Sequence, residues 1–161
     1  MPDVISNTSP LQYLYQLGLL DVLKKLYGQV IIPYAVSKEL SNGRKQGIEL
    51  PDPVLLNWIT IKHISENKLF PIVTGLGAGE KEVLALGIES PNTLVILDDL
   101  LARSYASFLG LKITGTLGII LKAKHLNEID NTEHFLNKLE RLHFRLDQKT
   151  RQSVLKLAGE M

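Results

Sequence analysis

Short apolar runs alternate along the chain with longer stretches of helical spacing. Residues 4–6, 29–32, 94–97 and 111–114 are brief β-branched or aliphatic runs, as the buried strands of a parallel sheet are. After each run, apolar residues recur at three- and four-residue intervals, which predicts a helix. Residues 58–64 alternate apolar with polar side chains and predict an edge strand. This strand–helix alternation predicts an α/β fold: a three-layer α/β/α sandwich with a central, mostly parallel sheet.

Turn and cap residues set the expected boundaries of these elements. Ser9 and the proline after it are typical of a helix start, and Gly18 predicts a break within the helix that follows. Residues 41–43 (Ser-Asn-Gly) predict the end of the helix that Pro33 opens. Residues 65–78 carry no periodic pattern and are interpreted as a mobile linker. Asp52 is expected to cap a short helical turn that ends near residue 57. Two further helices are expected at residues 132–143 and 148–158, with Asp147 as the cap of the second.

The composition is that of an ordinary globular protein. Its 161 residues predict one domain, with a core in residues 1–126 and a helical part in 127–161. The absence of cysteine excludes disulfides, zinc–thiolate sites and thiol nucleophiles. The N-terminal sequence has no signal-peptide pattern, and no apolar run reaches the roughly 18 residues of a membrane span. We therefore expect a cytoplasmic protein without membrane attachment. The net charge of +1 gives no global attraction to nucleic acid.

Acidic and amide side chains stand where predicted strands give way to helices. Asn7 follows the first strand, and Asp98 and Asp99 follow the most apolar one. Since the carboxyl ends of parallel strands share one edge of a sheet, these groups are expected to meet in a crevice there. Glu39 and Glu80 would reach the crevice from helices, whereas Glu82, two residues from Glu80, would face the surface. Converging carboxylates repel one another unless a hard cation lies between them, so the pattern predicts a divalent-metal site.

Five short segments in this order resemble the PIN-domain family. The similarity is closest to a bacterial and archaeal branch related to the toxin ribonucleases of toxin–antitoxin pairs, and it covers nearly the whole chain. The matching segments are residues 4–11, 32–40, 79–82, 97–103 and 114–118, with 144–146 and 158–160 in the tail.

The resemblance implies a metal-dependent endoribonuclease that leaves a 5′-phosphate and a 3′-hydroxyl. Its cofactor would be Mg²⁺ or Mn²⁺, which prefer oxygen ligands. Its partners would be RNA and an antitoxin protein, and the chain would form a homodimer. The implied catalytic residues are Glu39, Glu80 and Asp99. The implied assisting residues are Asn7, Asp98, Thr116 and Arg103. The implied metal ligands are Glu39, Glu80, Asp98, Asp99 and Asn7.

Asn7 departs from the pattern of the family, which places an acid at this position. An amide oxygen carries no charge and should weaken the hold on a cation, although Asp98 supplies an extra charge nearby. Two functions therefore stay open: an active nuclease, and a non-catalytic module that binds RNA or a protein partner. A metal-dependent phosphatase acting on small substrates would fit the acids but not the family.

Each of these residues also has a purely structural interpretation. Asn7 and Ser9 are typical helix caps, as are Asp99 and Thr116. A Glu in a first helical turn, such as Glu80, complements the helix dipole, and Glu39 would be an ordinary solvated acid on its helix. Arg103 is four residues from Asp99, and we expect the two to pair along the helix.

Basic residues concentrate near the C-terminus. A solvated helix surface is the default interpretation, and a groove for the RNA backbone is the alternative. The four histidines lack metal-ligand spacing, and the aromatic residues form no run interleaved with basic ones. The basic residues are Lys122, Lys124, Lys138, Arg141, Arg145, Lys149, Arg151 and Lys156.

Overall fold

A five-stranded parallel sheet forms the centre of the molecule. The computed structural model describes residues 3–161, so residues 1 and 2 of the predicted domain lie outside it. The strands lie side by side in the order β3-β2-β1-β4-β5, with Ile5 of β1 opposite Ile31 of β2 and Val95 of β4. They are β1 (Val4–Ser6), β2 (Val30–Pro33), β3 (Ile59–Lys62), β4 (Leu94–Ile96) and β5 (Lys112–Thr114).

Among residues 3–161, eight α-helices cover the sheet and complete the predicted three-layer α/β/α sandwich. The fold class expected from the sequence is therefore confirmed, and every strand pairing is parallel. No helix in the described part of the chain has the length and apolar character needed to span a membrane. The helices are α1 (Thr8–Gln16), α2 (Asp21–Tyr27), α3 (Tyr34–Lys45), α4 (Ala78–Ile88), α5 (Leu100–Phe108), α6 (Thr116–His125), α7 (Thr132–Arg141) and α8 (Gln148–Leu157).

The helix boundaries differ from the predicted ones at α1 and α3, and α7 and α8 end at Arg141 and Leu157, slightly before the predicted residues 143 and 158. The first helix begins at Thr8, one residue before the expected cap Ser9, and it ends where Gly18 adopts a positive φ of 75°. The predicted break at Gly18 is thus confirmed. The helix opened by Pro33 does not end at residues 41–43 but runs to Lys45. Gly43 lies inside this helix. The side chain of Leu50 packs directly against the Cα of Gly43, so a larger residue would not fit at position 43.

The segment predicted as a linker is packed against the body of the protein. Residues 65–77 form no helix or strand, as expected, but Leu69 and Val73 are buried in the hydrophobic core. The interpretation of this segment as mobile is therefore wrong, since its apolar side chains anchor it. The short 3₁₀ helix Pro53–Leu55 is capped by Asp52, which accepts a hydrogen bond from Val54 N at 3.1 Å, as predicted.

Polar contacts tie the C-terminal helices to the rest of the molecule. The Glu160 carboxylate accepts hydrogen bonds from Thr132 N at 2.9 Å and Glu133 N at 3.1 Å, and it lies 3.4 Å from Lys124 Nζ. Asp147 caps α8 as predicted, accepting from Thr150 N at 2.7 Å.

Candidate active site

The acids predicted to converge stand at the carboxyl edge of the sheet. Asn7 directly follows β1, and Asp98 lies two residues after the last residue of the neighbouring β4. An open cleft of about 820 Å³ lies at this edge. Of the predicted site residues, Asn7, Glu80, Asp98, Asp99 and Arg103 line it, together with Arg145 from the tail. Glu39 and Thr116 do not line the cleft.

Asn7 has a buried oxygen with nothing to bind. The residue is 6% exposed, and its backbone N–H donates to Ile96 O at 3.1 Å. It occupies the cap position of α1, but its side chain makes no capping bond, and no residue among 3–161 donates to Oδ1. The expected role as a cap is therefore not realised. A buried acceptor left without a donor costs about 1–3 kcal/mol, so this oxygen is a natural candidate for an external ligand.

Glu39 lies behind the cleft, in contact with two backbone segments. Thr8 Oγ1 donates to one of its carboxylate oxygens, and Gly79 N donates to the other at 3.3 Å. A Cβ on Gly79 would lie 2.6 Å from Glu39 Oε1 and 3.1 Å from Asn7 Oδ1. Because glycine has no side chain, the carboxylate of Glu39 and the amide oxygen of Asn7 can both lie close to the backbone at position 79.

Asp99 and Glu80 both perform the structural roles expected of them while lining the cleft. Asp99 caps α5, accepting from Ala102 N at 2.9 Å. Glu80, in the first turn of α4, accepts from Gly77 N at 2.9 Å. Burial raises the pKa of Glu80 above its ordinary 4.5, the negative charges of Asp99 and Glu39 raise it further, and the Gly77 bond opposes them. The carboxylate of Glu80 therefore lies close enough to those of Asp99 and Glu39 to be repelled by each of them.

The raised pKa of Glu80 predicts a specific pH dependence of stability in buffer without divalent metal. Because the native carboxyl holds its proton above pH 4.5, the folded state binds more protons than the unfolded one, and stability falls as pH rises through this window. Glu80→Gln keeps an oxygen for Gly77 N and removes the charge. We expect its thermal midpoint to exceed that of the wild type increasingly as pH rises from 4.5 through the raised pKa.

Thermal unfolding at a series of pH values measures this difference. The matched control is Glu82→Gln, on the same helix, whose side chain accepts from Ala35 N at 3.0 Å and does not line the cleft. A constant difference between Glu80→Gln and the wild type across the window would contradict the assignment.

Asp98 is held at the start of α6. Its Oδ1 accepts from Thr116 N at 2.8 Å, and its Oδ2 accepts from Thr116 Oγ1 at 2.7 Å and Ser9 Oγ at 3.2 Å. Thr116 is the first residue of α6 and not its cap, so the expected capping role of Thr116 is wrong. Its hydroxyl instead fixes the orientation of a carboxylate that lines the cleft.

Arg103 does not form the expected ion pair with Asp99. Its Nη1 donates to Leu97 O at 2.8 Å, and no carboxylate within the described residues lies in ion-pair distance of it. A Cβ on Gly115 would lie 2.9 Å from Arg103 Nη1 and 2.8 Å from Asp98 Oδ1. The carbonyl of Leu97 thus fixes the Arg103 guanidinium on the side of Gly115 where the Asp98 carboxylate also lies. There the positive charge of Arg103 offsets some of the local negative charge.

Three acids of the site each accept a hydrogen bond from a backbone N–H in the first turn of a helix. Glu39 contacts the start of α4, Asp98 the start of α6 and Asp99 the start of α5. The unpaired N–H groups and the positive end of the helix dipole stabilise a carboxylate at these positions. This explains how several acids occupy one edge of the sheet in a stable fold.

The donor chemistry of the cleft fits a hydrated Mg²⁺ or Mn²⁺ ion and not a closed metal cage. Within residues 3–161, no three His, Cys, Asp or Glu side chains come together closely enough to hold a metal ion as a group. Mg²⁺, however, keeps several waters and takes only one or two carboxylates. The unpartnered Asn7 oxygen and the carboxylates of Glu80 and Asp99 beside an open cleft meet that requirement. The five-residue ligand set expected from the sequence stays a prediction.

Several residues of the site had no clear signal in the sequence. Thr8 and Ser9 hold Glu39 and Asp98, respectively, through contacts 31 and 89 residues away in the chain. Gly79 is needed for the close approach of Glu39, and its position before Glu80 was the only hint. Arg145 reaches the cleft from the tail.

A comparison with protein families decides the identity of the fold. A family model described as a PIN domain matches residues 3–160. The chain belongs to the PIN-domain family. No curated protein and no solved structure matches it. The resemblance seen in the sequence is thus confirmed for the family, whereas the toxin branch stays a prediction. As a PIN domain, the protein has a nuclease-type fold.

Proposed function

We propose that this PIN domain is a Mg²⁺- or Mn²⁺-dependent endoribonuclease that hydrolyses phosphodiester bonds of RNA. The observation that carries the proposal is the acidic cleft at the carboxyl edge of the sheet. Glu80 and Asp99 line it, and they lie close enough to Glu39 for the three charges to interact. Beside them is the buried, unpartnered oxygen of Asn7. Excess negative charge facing an open, polar cleft favours a cation there.

Glu80 and Asp99, which line the cleft, would contact the ion directly. Glu39, with Asn7 and Asp98, would complete the set through the waters that Mg²⁺ keeps. When bound, the ion would polarise the scissile phosphate and lower the pKa of an attacking water. The protein supplies fixed orientations: Gly77 N holds Glu80, and Ala102 N holds Asp99. Thr116 and Ser9 fix Asp98 in the same way. Side chains held by such contacts keep a site in its working geometry.

Two arginines in the cleft support a polyanionic substrate. Arg103 and Arg145 both line it, and Arg145 is exposed and forms no ion pair among the described residues. Guanidinium groups bind phosphate strongly. The basic tail as a whole is a weaker candidate for an RNA groove. Lys124 is paired with Glu160, and Arg151 is paired with Glu133 and Glu140.

A second function, a non-catalytic module that binds RNA or a protein partner, is favoured by two observations. The amide of Asn7 contributes no charge, and no group of three acids is assembled within residues 3–161. Both would weaken the hold on a cation. The two functions predict different metal affinities and different rates of RNA cleavage, so measuring both quantities distinguishes them.

The proposal extends to a toxin ribonuclease acting in the cytoplasm as a homodimer under the control of an antitoxin. This extension is supported by the resemblance of the sequence to the toxin branch. We also propose that the core and the C-terminal helices form one domain, supported by the contacts of Glu160 with α7 and Lys124. Size-exclusion chromatography with light scattering tests the homodimer, and a monomeric mass would contradict it.

Titration of Mn²⁺ into the metal-free protein tests the metal site. Asp99→Asn should weaken Mn²⁺ binding by at least about tenfold. Substitutions in the surroundings of a metal ion typically lower metal affinity by this factor or more. Asn caps helices as well as Asp does, so α5 should keep its cap and the fold its stability. The matched control is Asp52→Asn, which changes another capping Asp remote from the cleft. Equal affinity of Asp99→Asn and the wild type would remove Asp99 from the site.

Cleavage of a single-stranded RNA by the same variants tests the reaction. We expect Mg²⁺- or Mn²⁺-dependent cleavage by the wild type and by Asp52→Asn, with 5′-phosphate ends, and much slower cleavage by Asp99→Asn. RNA binding by the wild type without cleavage in either metal would support the non-catalytic module and overturn the nuclease proposal.

A further inference from the structure

An exposed pair of aromatic rings lies at the same edge of the sheet as the acidic cleft. The rings of Tyr34 and His63 are stacked, with centroids 4.6 Å apart and planes 24° apart. Tyr34 is 43% exposed, and His63 is exposed as well. Neither residue lines the cleft or contributes to the apolar core. No local pattern in the sequence indicates this pair, because the two residues are far apart in the chain.

The sheet topology fixes the position of this pair relative to the site. Pro33 and Lys62 are opposite one another at the ends of β2 and β3, and Tyr34 and His63 are the residues that follow them. The pair therefore extends from the carboxyl edge, where Asn7 follows β1. Neighbouring strands lie about 4.8 Å apart, so β3 is about 10 Å from β1 along the edge. A polymer bound at the cleft can reach the pair.

Unpaired lysines accompany the rings. Lys38, one turn along α3, places its Nζ 5.7 Å from the centre of the Tyr34 ring, and it directly precedes Glu39. Lys81, directly after Glu80, lies 5.6 Å from the ring centre of Phe70. Neither lysine forms an ion pair with any of residues 3–161. Each proposed acid ligand on a helix thus has a neighbouring cation held beside an aromatic ring.

We propose that the Tyr34–His63 pair is a stacking surface for a nucleobase of single-stranded RNA, with Lys38 contacting the adjoining phosphate. This inference rests on the proposed function, and it places a part of the RNA substrate outside the cleft. Exposed aromatic rings beside cations are the combination by which proteins bind single-stranded nucleic acid without reading its sequence. An RNA strand matches both features at once, because each nucleotide offers a base face to the rings and a phosphate to the lysines.

The test is binding of a fluorescent single-stranded oligoribonucleotide of mixed sequence, measured by anisotropy with EDTA present so that no cleavage occurs. His63→Ala should weaken binding roughly tenfold and leave its salt dependence unchanged. His63→Trp keeps a ring and should restore the affinity. Lys38→Met should lower the slope of log affinity against log salt by roughly 0.7, as expected for one lost phosphate contact on a single strand. An abasic oligonucleotide should bind His63→Ala and the wild type equally.

The alternative is that the pair only covers the end of the edge strand β3. In that case His63→Ala would lower the thermal midpoint and leave the RNA affinity unchanged, and this result would overturn the proposal. An absence of RNA binding by the wild type would overturn it as well. The outcome is separable from that of the proposed function. A wild type that binds RNA with a ten-fold loss in His63→Ala, but does not cleave with Mg²⁺ or Mn²⁺, would refute the nuclease and support the stacking surface.

Discussion

Asn7→Asp is expected to raise the affinity for Mn²⁺ by about a hundredfold and to destabilise the metal-free protein. The Asn7 oxygen and the Glu39 carboxylate both lie within about 3 Å of the point where a side chain on Gly79 would begin. Two unit charges 4 Å apart interact by about 4 kcal/mol at an effective dielectric constant of 20. A carboxylate at Asn7 would therefore repel Glu39 strongly, and a divalent cation between the two would turn that repulsion into attraction.

The decisive measurement is the thermal midpoint in EDTA and in Mn²⁺, with calorimetric titration for the affinity. Asn7→Asp should unfold at a lower temperature than the wild type in EDTA and gain more from Mn²⁺. The control is Asn131→Asp, at the cap of α7, where the side chain accepts from His134 N and the surroundings are exposed. If Asn7→Asp binds Mn²⁺ no better than the wild type, the Asn7 oxygen does not face the ion. A parallel gain in RNA cleavage would show that the amide limits the native activity.

Gly79→Ala should reduce both stability and cleavage. Replacing a glycine in a helix by alanine ordinarily stabilises it by about 1 kcal/mol. Here the added Cβ would lie 2.6 and 3.0 Å from the carboxylate oxygens of Glu39, closer than such atoms come in proteins. Glu39 would have to move and lose its bond from Gly79 N. We expect a net loss of about 1–3 kcal/mol in the free energy of unfolding, as in other overpacked sites, and about a hundredfold slower cleavage from a displaced ligand.

Gly77→Ala is the matched control for this substitution. It lies two residues earlier, and its added Cβ would meet only Glu80 Oε1, at an ordinary 3.5 Å. Chemical denaturation and metal-dependent cleavage should distinguish the two variants clearly. A Gly79→Ala protein that is more stable than the wild type and fully active would mean that the space between Asn7 and Glu39 has no role.

Strands β1, β2, β4 and β5 were predictable because each is a short, mainly apolar run followed by a turn or cap residue, and β3 was predictable from its alternation of apolar and polar side chains. The ends of the helices were harder to predict than the strands. The glycine at position 43 resembles a helix stop, yet the helix continues through it because Leu50 packs against its Cα. Leu69 and Val73 lie in a short apolar run without helical or strand spacing, and only the folded chain shows that these two are buried whereas Ile72 is exposed. Local spacing carries no information about such contacts.

The location of the acids at one sheet edge followed from their positions after strands, but their surroundings did not. The bond from Thr8 to Glu39 and the bond from Gly79 to the same carboxylate join residues 31 and 40 positions apart. Arg103 illustrates the limit of local reasoning. The spacing of four residues predicted a pair with Asp99, whereas the backbone carbonyl of Leu97 binds the guanidinium instead.

The anchoring of three carboxylates at the starts of three different helices separates the durability of the fold from the occupancy of its cleft. Asp98, Asp99 and Glu39 each accept a main-chain N–H, so the architecture does not depend on an ion to neutralise them. A fold anchored in this way accommodates an amide at position 7 without losing its shape. The scaffold is therefore a fixed platform on which single carboxylates can be added or removed and their effects compared.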